Sequence, residues 1–255
     1  MIIGEGETMR IAMISDAHGN LHGLDAVLAD LDGTGPYDEV IYGGDFAFRG
    51  AFPAEVIDRI RERGYRAVRG NTDEFLVEMA RNGNYPLSIT DERQRHTPAL
   101  QVFDRWALDR MTTEQVDYLA DLPLRIDIAG PDNARLTIAH ATPWSAHVTV
   151  LPDAPEDVAR QMLTEPQSAC TAYGHIHHAY RRSVGDGLLT SVGSVGAPMD
   201  GDWRAAYVVL TNDGQGWDVE FRRVEYDIDA AQASLRASTL PDRDVIAAAL
   251  RTAAR

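Results

Sequence analysis

Three short apolar runs, RIAMIS (10–15), EVIYGG (39–44) and RAV (66–68), are each followed by a turn rich in Asp, Gly or Asn. Helical patterns fill the gaps between them. Leu21, Leu24, Val27, Leu28 and Leu31 recur at helix spacing after the first run. After the second, Pro53 opens a stretch with Val56, Ile57 and Ile60 that Gly64 closes. Alternating strands and helices predict an α/β fold: parallel strands, right-handed crossovers and binding residues at the carboxyl ends of the strands. In RGNTDE (69–74), Asn71 and Glu74 have the spacing of a capping box, which predicts a helix beginning near Thr72.

Further along, Leu100, Phe103, Trp106, Leu108, Val116 and Leu119 keep mostly helical spacing and predict a helical cap or insertion over about 81–122. After Pro123 the pattern turns to strands: LRIDI, RLTIAH, TAYGHIH, GLLTSVG, AAYVVLTN and WDVEFRRV, separated by turn-forming residues. The stretch from about 228 to 253 returns to Ala-rich helix. With neither an internal repeat nor a long low-complexity linker, residues 1–255 are expected to form one domain, with two sheets packed together and helices outside.

Composition narrows the chemistry. The net charge of −15 disfavours a long nucleic acid or an anionic membrane as partner. All 24 basic side chains are arginines, so Schiff-base lysine and P-loop lysine chemistry are excluded. The single Cys170 excludes an internal disulfide and a Cys-rich zinc site. The opening MIIGEGETM lacks the basic and apolar regions of a secretory leader, and no apolar run reaches membrane-spanning length, so a cytoplasmic location is expected.

Asp16 and His18 (SDAHGN), Asp45 (GGDF) and Asn71 (RGNTD) lie just beyond the three strands and should converge on one sheet edge. His140 ends LTIAH, and His175 and His177 in YGHIHH would share a face of an extended segment. Imidazole, carboxylate and amide donors without thiolate suit Mn, Fe, Zn, Co or Ni better than calcium. Seven such residues exceed one tetrahedral site and suit two ions about 3.5–4 Å apart.

The ordered series DAH, GGD, GNTD, AH and GHIH resembles the calcineurin-like metallophosphoesterase signature over about residues 10 to 225, closest to its Gly-Asn-x-Asp phosphodiesterase-like branch. The resemblance implies a four-layer αββα sandwich of two mixed sheets. It also implies Asp16, His18 and His177 on one divalent ion, Asn71, His140 and His175 on a second, and Asp45 bridging them. Manganese is the first expectation, with Fe, Zn, Ni or Co as alternatives. A hydroxide shared by the ions would attack phosphorus in line, with Asp45, Asn71, His140 and Asp73 as the catalytic set.

GGDFAFRG is similar to a run in which Arg grips phosphate, which makes Arg49 a substrate-binding candidate. Ser194 joins it from the loop SVGSVGAPMDGD (191–202), similar to a Gly-Ser-Val loop of bacterial members, as does Asn20 in HGN. His22, His147 and His178 are assigned to supporting or surface roles. Many members carry a His after the Asn; here Thr72 stands there and is no ordinary general acid. The expected substrate is therefore a small phosphodiester, with a nucleotide among the candidates. A phosphomonoester or a dinucleoside polyphosphate is the alternative, and a non-catalytic scaffold the more distant one. Asp73 or another His could supply the leaving-group proton, Thr72 or Asp73 would cap the helix if Asn71 binds metal, and residues 81–122 and 191–204 are expected to shape the pocket.

Overall fold

The structure, a computed structural model, describes residues 8–83, 100–131, 133–164 and 167–254. The first sheet contains β1 (Met9–Ile14), β2 (Glu39–Tyr42), β3 (Arg66–Ala67), β9 (Ala205–Asn212) and β10 (Trp217–Val224), in the order β10-β9-β1-β2-β3. The second contains β4 (Arg125–Ala129), β5 (Arg135–Ala139), β6 (Cys170–Tyr173), β7 (Ala179–Val184) and β8 (Gly187–Val192), in the order β4-β5-β6-β8-β7. In the first sheet the parallel set β1-β2-β3 runs to one edge and the antiparallel β9 and β10 complete the other side; in the second the parallel set β5-β6-β8 is central, with antiparallel β4 and β7 at its two flanks. Both sheets are thus mixed, as expected.

The strands alternate faces, and that alternation builds the layers. In β1, Met9, Ile11 and Met13 enter a core between the sheets, facing Leu136, Ile138, Cys170 and Ala172 of the second sheet. Ala12 and Ile14 point the other way, into a core shared with helices. Burial among these side chains pushes the Cys170 thiol pKa up, so it packs as a small apolar group.

The helical layers are unequal. Helices α1 (Leu21–Thr34), α2 (Pro53–Glu62), α3 (Asn71–Asn82), α4 (Gln101–Leu108), α5 (Thr113–Asp121), α7 (Ile228–Ala237) and α8 (Arg243–Thr252) contribute to the core on the first sheet. On the second sheet, α6 (Glu156–Thr164) supplies Ala159, Met162 and Leu163 to a separate small core. Together these make the αββα sandwich. Of the expected insertion over 81–122, residues 84–99 lie outside the described residues; the remainder forms the end of α3, α4 and α5. Thr112 and Gln115 cap α5 reciprocally.

Two elements were not anticipated. β7 carries Arg181 and Arg182 on a half-exposed edge, which masks its alternation. α6 is a nine-residue helix inserted between β5 and β6, within a half that otherwise reads as strands.

Register brings the site together. Ile14 pairs with Tyr42, Tyr42 with Ala67, and Ala139 with Tyr173, which pairs with Ser191. The carboxyl ends of the parallel strands in each sheet therefore finish level.

Candidate metal centre

Backbone hydrogen bonds tie the loops beyond these strands to one another. Asp16 N–H donates to the Gly44 carbonyl (3.0 Å), His18 N–H to Asp45 O (3.1 Å) and Gly196 N–H to Asp16 O (3.0 Å). Across the sheets, Gly174 N–H donates to His140 O (2.8 Å), and the His175 N–H reaches the Asp16 carboxylate (3.1 Å). The fit leaves no room for a methyl group in places: a Cβ at Gly70 would strike the Asp45 carboxylate, and one at Gly196 the Ala17 carbonyl.

All seven expected ligands meet in this cleft. His177 Nε2 lies 3.1 Å from Asp16 Oδ1 and 3.1 Å from His18 Nε2. His140 Nε2 and His175 Nδ1 each lie 3.0 Å from Asn71 Oδ1. Between these groups stands Asp45, with Oδ2 3.5 Å from His18 Nε2 and Oδ1 3.5 Å from His140 Nε2. Asp16 and His140 have no exposed surface. Among the described residues, Asp16 with His18 and His177, and Asp16 with Asp45 and His140, are the groupings compact enough to hold a cation.

The second nitrogen of each imidazole settles which atoms face inward. Nδ1 of His18, His140 and His177 points at a backbone carbonyl, of Phe48 (3.1 Å), Gly43 (2.8 Å) and Ala197 (2.6 Å) respectively. Each must carry a proton there, because a carbonyl only accepts. His175 is reversed: its Nε2 meets Thr149 Oγ1 at 2.9 Å and its Nδ1 turns inward. The cleft is thus ringed by lone pairs of imidazole, carboxylate and amide oxygen that face one another, with the backbone N–H groups of His175 and Thr72 steadying the Asp16 and Asp45 carboxylates. Such a set fits cations, with the outward hydrogen bonds fixing each ring.

The electrostatics agree. Burial works to raise the Asp16 pKa, but the neighbouring His177 and His140 outweigh it and hold the carboxyl well below its usual range. Burial and the adjacent His140 push His175 down to about 3, so that ring stays neutral. Burial would lower His140 as well, but Asp45 and Asp16 override it and raise it. The carboxylates draw positive charge into the cleft, and a bound cation answers the same field.

The backbone here is unusual. Asp16, His18, Asp45, His175 and His177 all adopt left-handed φ, between 48° and 65°, as does Arg49. An L-residue in that region costs on the order of 1–3 kcal/mol, and such residues persist only where the surroundings hold them. The expectation that His175 and His177 share a face of an extended strand is corrected accordingly: β6 ends at Tyr173, and the turned backbone sends the two rings to opposite halves of the cleft.

Four further expectations change. The start of α3 is capped at Gly70, with the Asp73 carboxylate accepting the Gly70 N–H (2.7 Å); this is not the Asn71–Glu74 box but the Asp73 alternative expected if Asn71 binds metal. Asp73 also accepts the N–H groups of Asp45 (2.9 Å) and Phe46 (3.0 Å) and has no exposed surface, so it braces the loop and is not placed to give a proton to substrate. Ser194, expected at the substrate, is equally buried; its hydroxyl donates to Asp16 O (2.7 Å) and accepts from Ala197 N–H (2.8 Å). Asn20 caps α1 through Gly23 N–H and donates to Gly196 O and Tyr226 Oη, which holds loops together beside the cleft. Glu74 pairs with Arg69 and His147, at 2.7 Å each.

A cavity of about 480 Å³ opens from His18 and His177, past Arg49, toward α7 and α8. Residues 196–199 line it, as expected of that loop, but the described part of 81–122 does not. The far wall comes from the C-terminal helices instead. The signal that could have shown this is a second apolar stripe on α8: Val245 and Ala249 are exposed beside the buried Ile246 and Leu250.

Comparison with known proteins places the chain in context. The calcineurin-like phosphoesterase superfamily domain matches residues 9–215. An uncharacterized protein of Methanocaldococcus jannaschii is 28% identical over 249 residues, which cover 91% of this chain and 94% of that one. Among solved structures, a metallophosphoesterase from Sphaerobacter thermophilus is 27% identical with a TM-score of 0.73, covering 96% of this chain and 100% of its own. A hypothetical protein from Pyrococcus horikoshii has a TM-score of 0.79 at 18% identity, over 97% and 99% of the two chains, and shows the shared fold alone.

Proposed function

The chain belongs to the calcineurin-like phosphoesterase superfamily, and from that premise we propose that it is a binuclear metal-dependent phosphodiesterase. The observation that carries the reading is the ring of inward-facing imidazole, carboxylate and amide lone pairs, supported from outside by three backbone carbonyls and Thr149. Asp16, His18 and His177 would hold one divalent ion, Asn71, His140 and His175 the other, and Asp45, lying between the two groups, would contribute to both. Manganese is the first candidate, because nitrogen and oxygen donors without sulfur suit it as well as iron, zinc, nickel or cobalt. When bound, two such ions lower the pKa of a water molecule and neutralise charge on phosphate oxygens.

The chain's own residues do the rest. Asp45 is fixed by the Thr72 N–H on Oδ1 (3.0 Å), and the carboxylate of Asp73 anchors the Asp45 and Phe46 amides, so the central carboxylate cannot swing away. Arg49 stands at the cavity mouth with its guanidinium 5.0 Å above the Phe103 ring, where it can grip a phosphate oxygen. Burial lowers the Arg49 pKa, but the group remains a cation at any ordinary pH.

The diester preference rests on the proton. Among the described residues, Thr72 cannot act as a general acid, Asp73 is committed to three amides, and His22, His147 and His178 are bonded to Ser234, Glu74 and the Ile176 carbonyl. A phosphodiester with a stable leaving group makes the least demand on such a site. Turnover of aryl diester, aryl monoester and a dinucleoside polyphosphate, with manganese and after chelation, tests the proposal. The diester should be preferred and its hydrolysis lost on chelation. A preference for the monoester, or metal-independent turnover, would overturn it.

A further inference from the structure

Resting on the reading above, we infer that the groove between the metal cleft and α8 binds an apolar organic group of the substrate, aryl or alkyl, and selects against a polar nucleoside. The groove is continuous with the proposed ligands: His18 and His177 form its inner end, and Phe48, Phe52, Met199 and Leu235 extend it to Val245 and Ala249 on α8. Its volume falls within the roughly 300–1,000 Å³ of small-molecule sites.

The polar side chains along the groove are already engaged. Asn20 uses its carbonyl on Gly23 N–H and its amide on Gly196 O and Tyr226 Oη. His22 Nε2 meets Ser234 Oγ at 2.9 Å. Arg49, at the cleft end, is the remaining cation, and among the described residues no carboxylate lies within ion-pair distance of it. On the reading above it serves the phosphate rather than the group beyond. A base or sugar entering the groove would leave its hydrogen-bonding edges without partners, whereas an apolar group loses only water.

The wall is also built as part of the site. Met199 N–H donates to His177 O (3.0 Å), His177 Nδ1–H donates to Ala197 O, and Gly201 N–H donates to Ala253 O (3.0 Å). The loop that orients one proposed ligand therefore carries one side of the groove, and a backbone bond ties it to the end of α8. Val245 is 67% exposed, more than any other large apolar residue in the described structure, and lies on this wall. An apolar group seated there would cover it.

Alkyl and aryl phosphonates test the inference without requiring turnover. Methylphosphonate, phenylphosphonate, octylphosphonate and thymidine 5′-monophosphate are titrated into the manganese-loaded protein by calorimetry. Phenyl- or octylphosphonate should bind at least about tenfold tighter than both methylphosphonate and the nucleotide, the scale of discrimination an apolar pocket gives. Val245→Asp and Ala249→Phe alter exposed positions on α8, and each should bring the ratio of octyl to methyl affinity close to one; thermal melts check that both variants fold. Equal affinity for all four probes, tighter binding of the nucleotide, or an unchanged ratio in both variants would overturn the inference. Failure of the phosphodiesterase reading would show separately, as absent metal-dependent hydrolysis of the aryl diester.

Discussion

Within β1, Ile11 and Met13 pack into the core between the sheets, whereas Asp16, just past the strand's end, is buried as a carboxylate among histidines. The same contrast holds in β5, where Ile138 is core and His140 is cleft. Core residues follow a strict alternation on regular backbone and gain free energy by leaving water. Cleft residues take left-handed backbone and carry charge into low dielectric, both of which cost free energy. The two regions share strands but divide the labour: the core holds the fold together, and the cleft gathers Asp and His groups compact enough to hold a cation.

The sharpest way to break this division is at Asp45. Asp45→Asn keeps size and shape but removes the charge between the two halves of the cleft. Turnover should fall by well over a hundredfold, beyond the 10- to 100-fold typical of losing a residue that only supports a ligand, and metal content should drop. The melting temperature of the metal-free protein should fall, because against the effect of burial His140 and His18 hold the Asp45 carboxyl below its usual range, and the charge they favour is removed. His175→Ala should likewise abolish metal-dependent turnover. Unchanged activity in both variants would remove the cleft from the chemistry.

The reverse experiment belongs to the core. Ile138 has no exposed surface and faces the other sheet. Ile138→Ala should cost about 2–5 kcal/mol in chemical denaturation, while metal bound per folded molecule stays as in the parent. A loss of metal at full folding would mean that core and cleft are coupled.

Thr149→Val sharpens the comparison from the cleft's outer rim. The Thr149 hydroxyl is the one side-chain support among the four imidazoles; the others lean on backbone carbonyls that no substitution removes. Valine has nearly the same shape but cannot accept the His175 Nε2–H. Metal affinity should fall about 10- to 100-fold, at the half of the cleft holding His175 only, with no change in the melt of the metal-free protein. A single weakened step in a two-step metal titration is the expected trace, and equal weakening of both steps would contradict the assignment.

Much of this was legible in the sequence, for a physical reason. A ligand at a strand's end is announced by the apolar run before it, and Asp16, Asp45 and Asn71 each follow one of three parallel strands, so their convergence follows from that topology; His140 ends a strand of the other sheet, and its meeting with them was implied by the family resemblance. What depends on backbone turning left no such mark. His175 and His177 read as neighbours on one face until positive φ separates them. Asp73 and Ser194 read as polar groups near the chemistry, but their partners are amides and carbonyls of other loops, and a backbone amide has no residue type to betray it. The α8 wall was hidden by distance along the chain, since nothing in an Ala-rich helix states which distant loop it will face.

Arg49 lies on the border between the two kinds of region, and its variant carries the smallest expected effect. Its left-handed backbone and its place at the mouth belong to the cleft, but its ring contact with Phe103 belongs to the helical core. If the cleft's logic governs, Arg49→Ala removes a charge-assisted hydrogen bond to phosphate and raises KM about tenfold with metal content intact. If packing governs, the loss of a cation over an aromatic face costs about 0.5–1 kcal/mol of stability and leaves KM alone. Steady-state kinetics and a melt on the same preparation separate the two, and Arg49→Lys refines the answer. Lysine keeps the charge but not the planar fork, so a KM intermediate between the parent and Arg49→Ala assigns the grip to guanidinium geometry as well as charge.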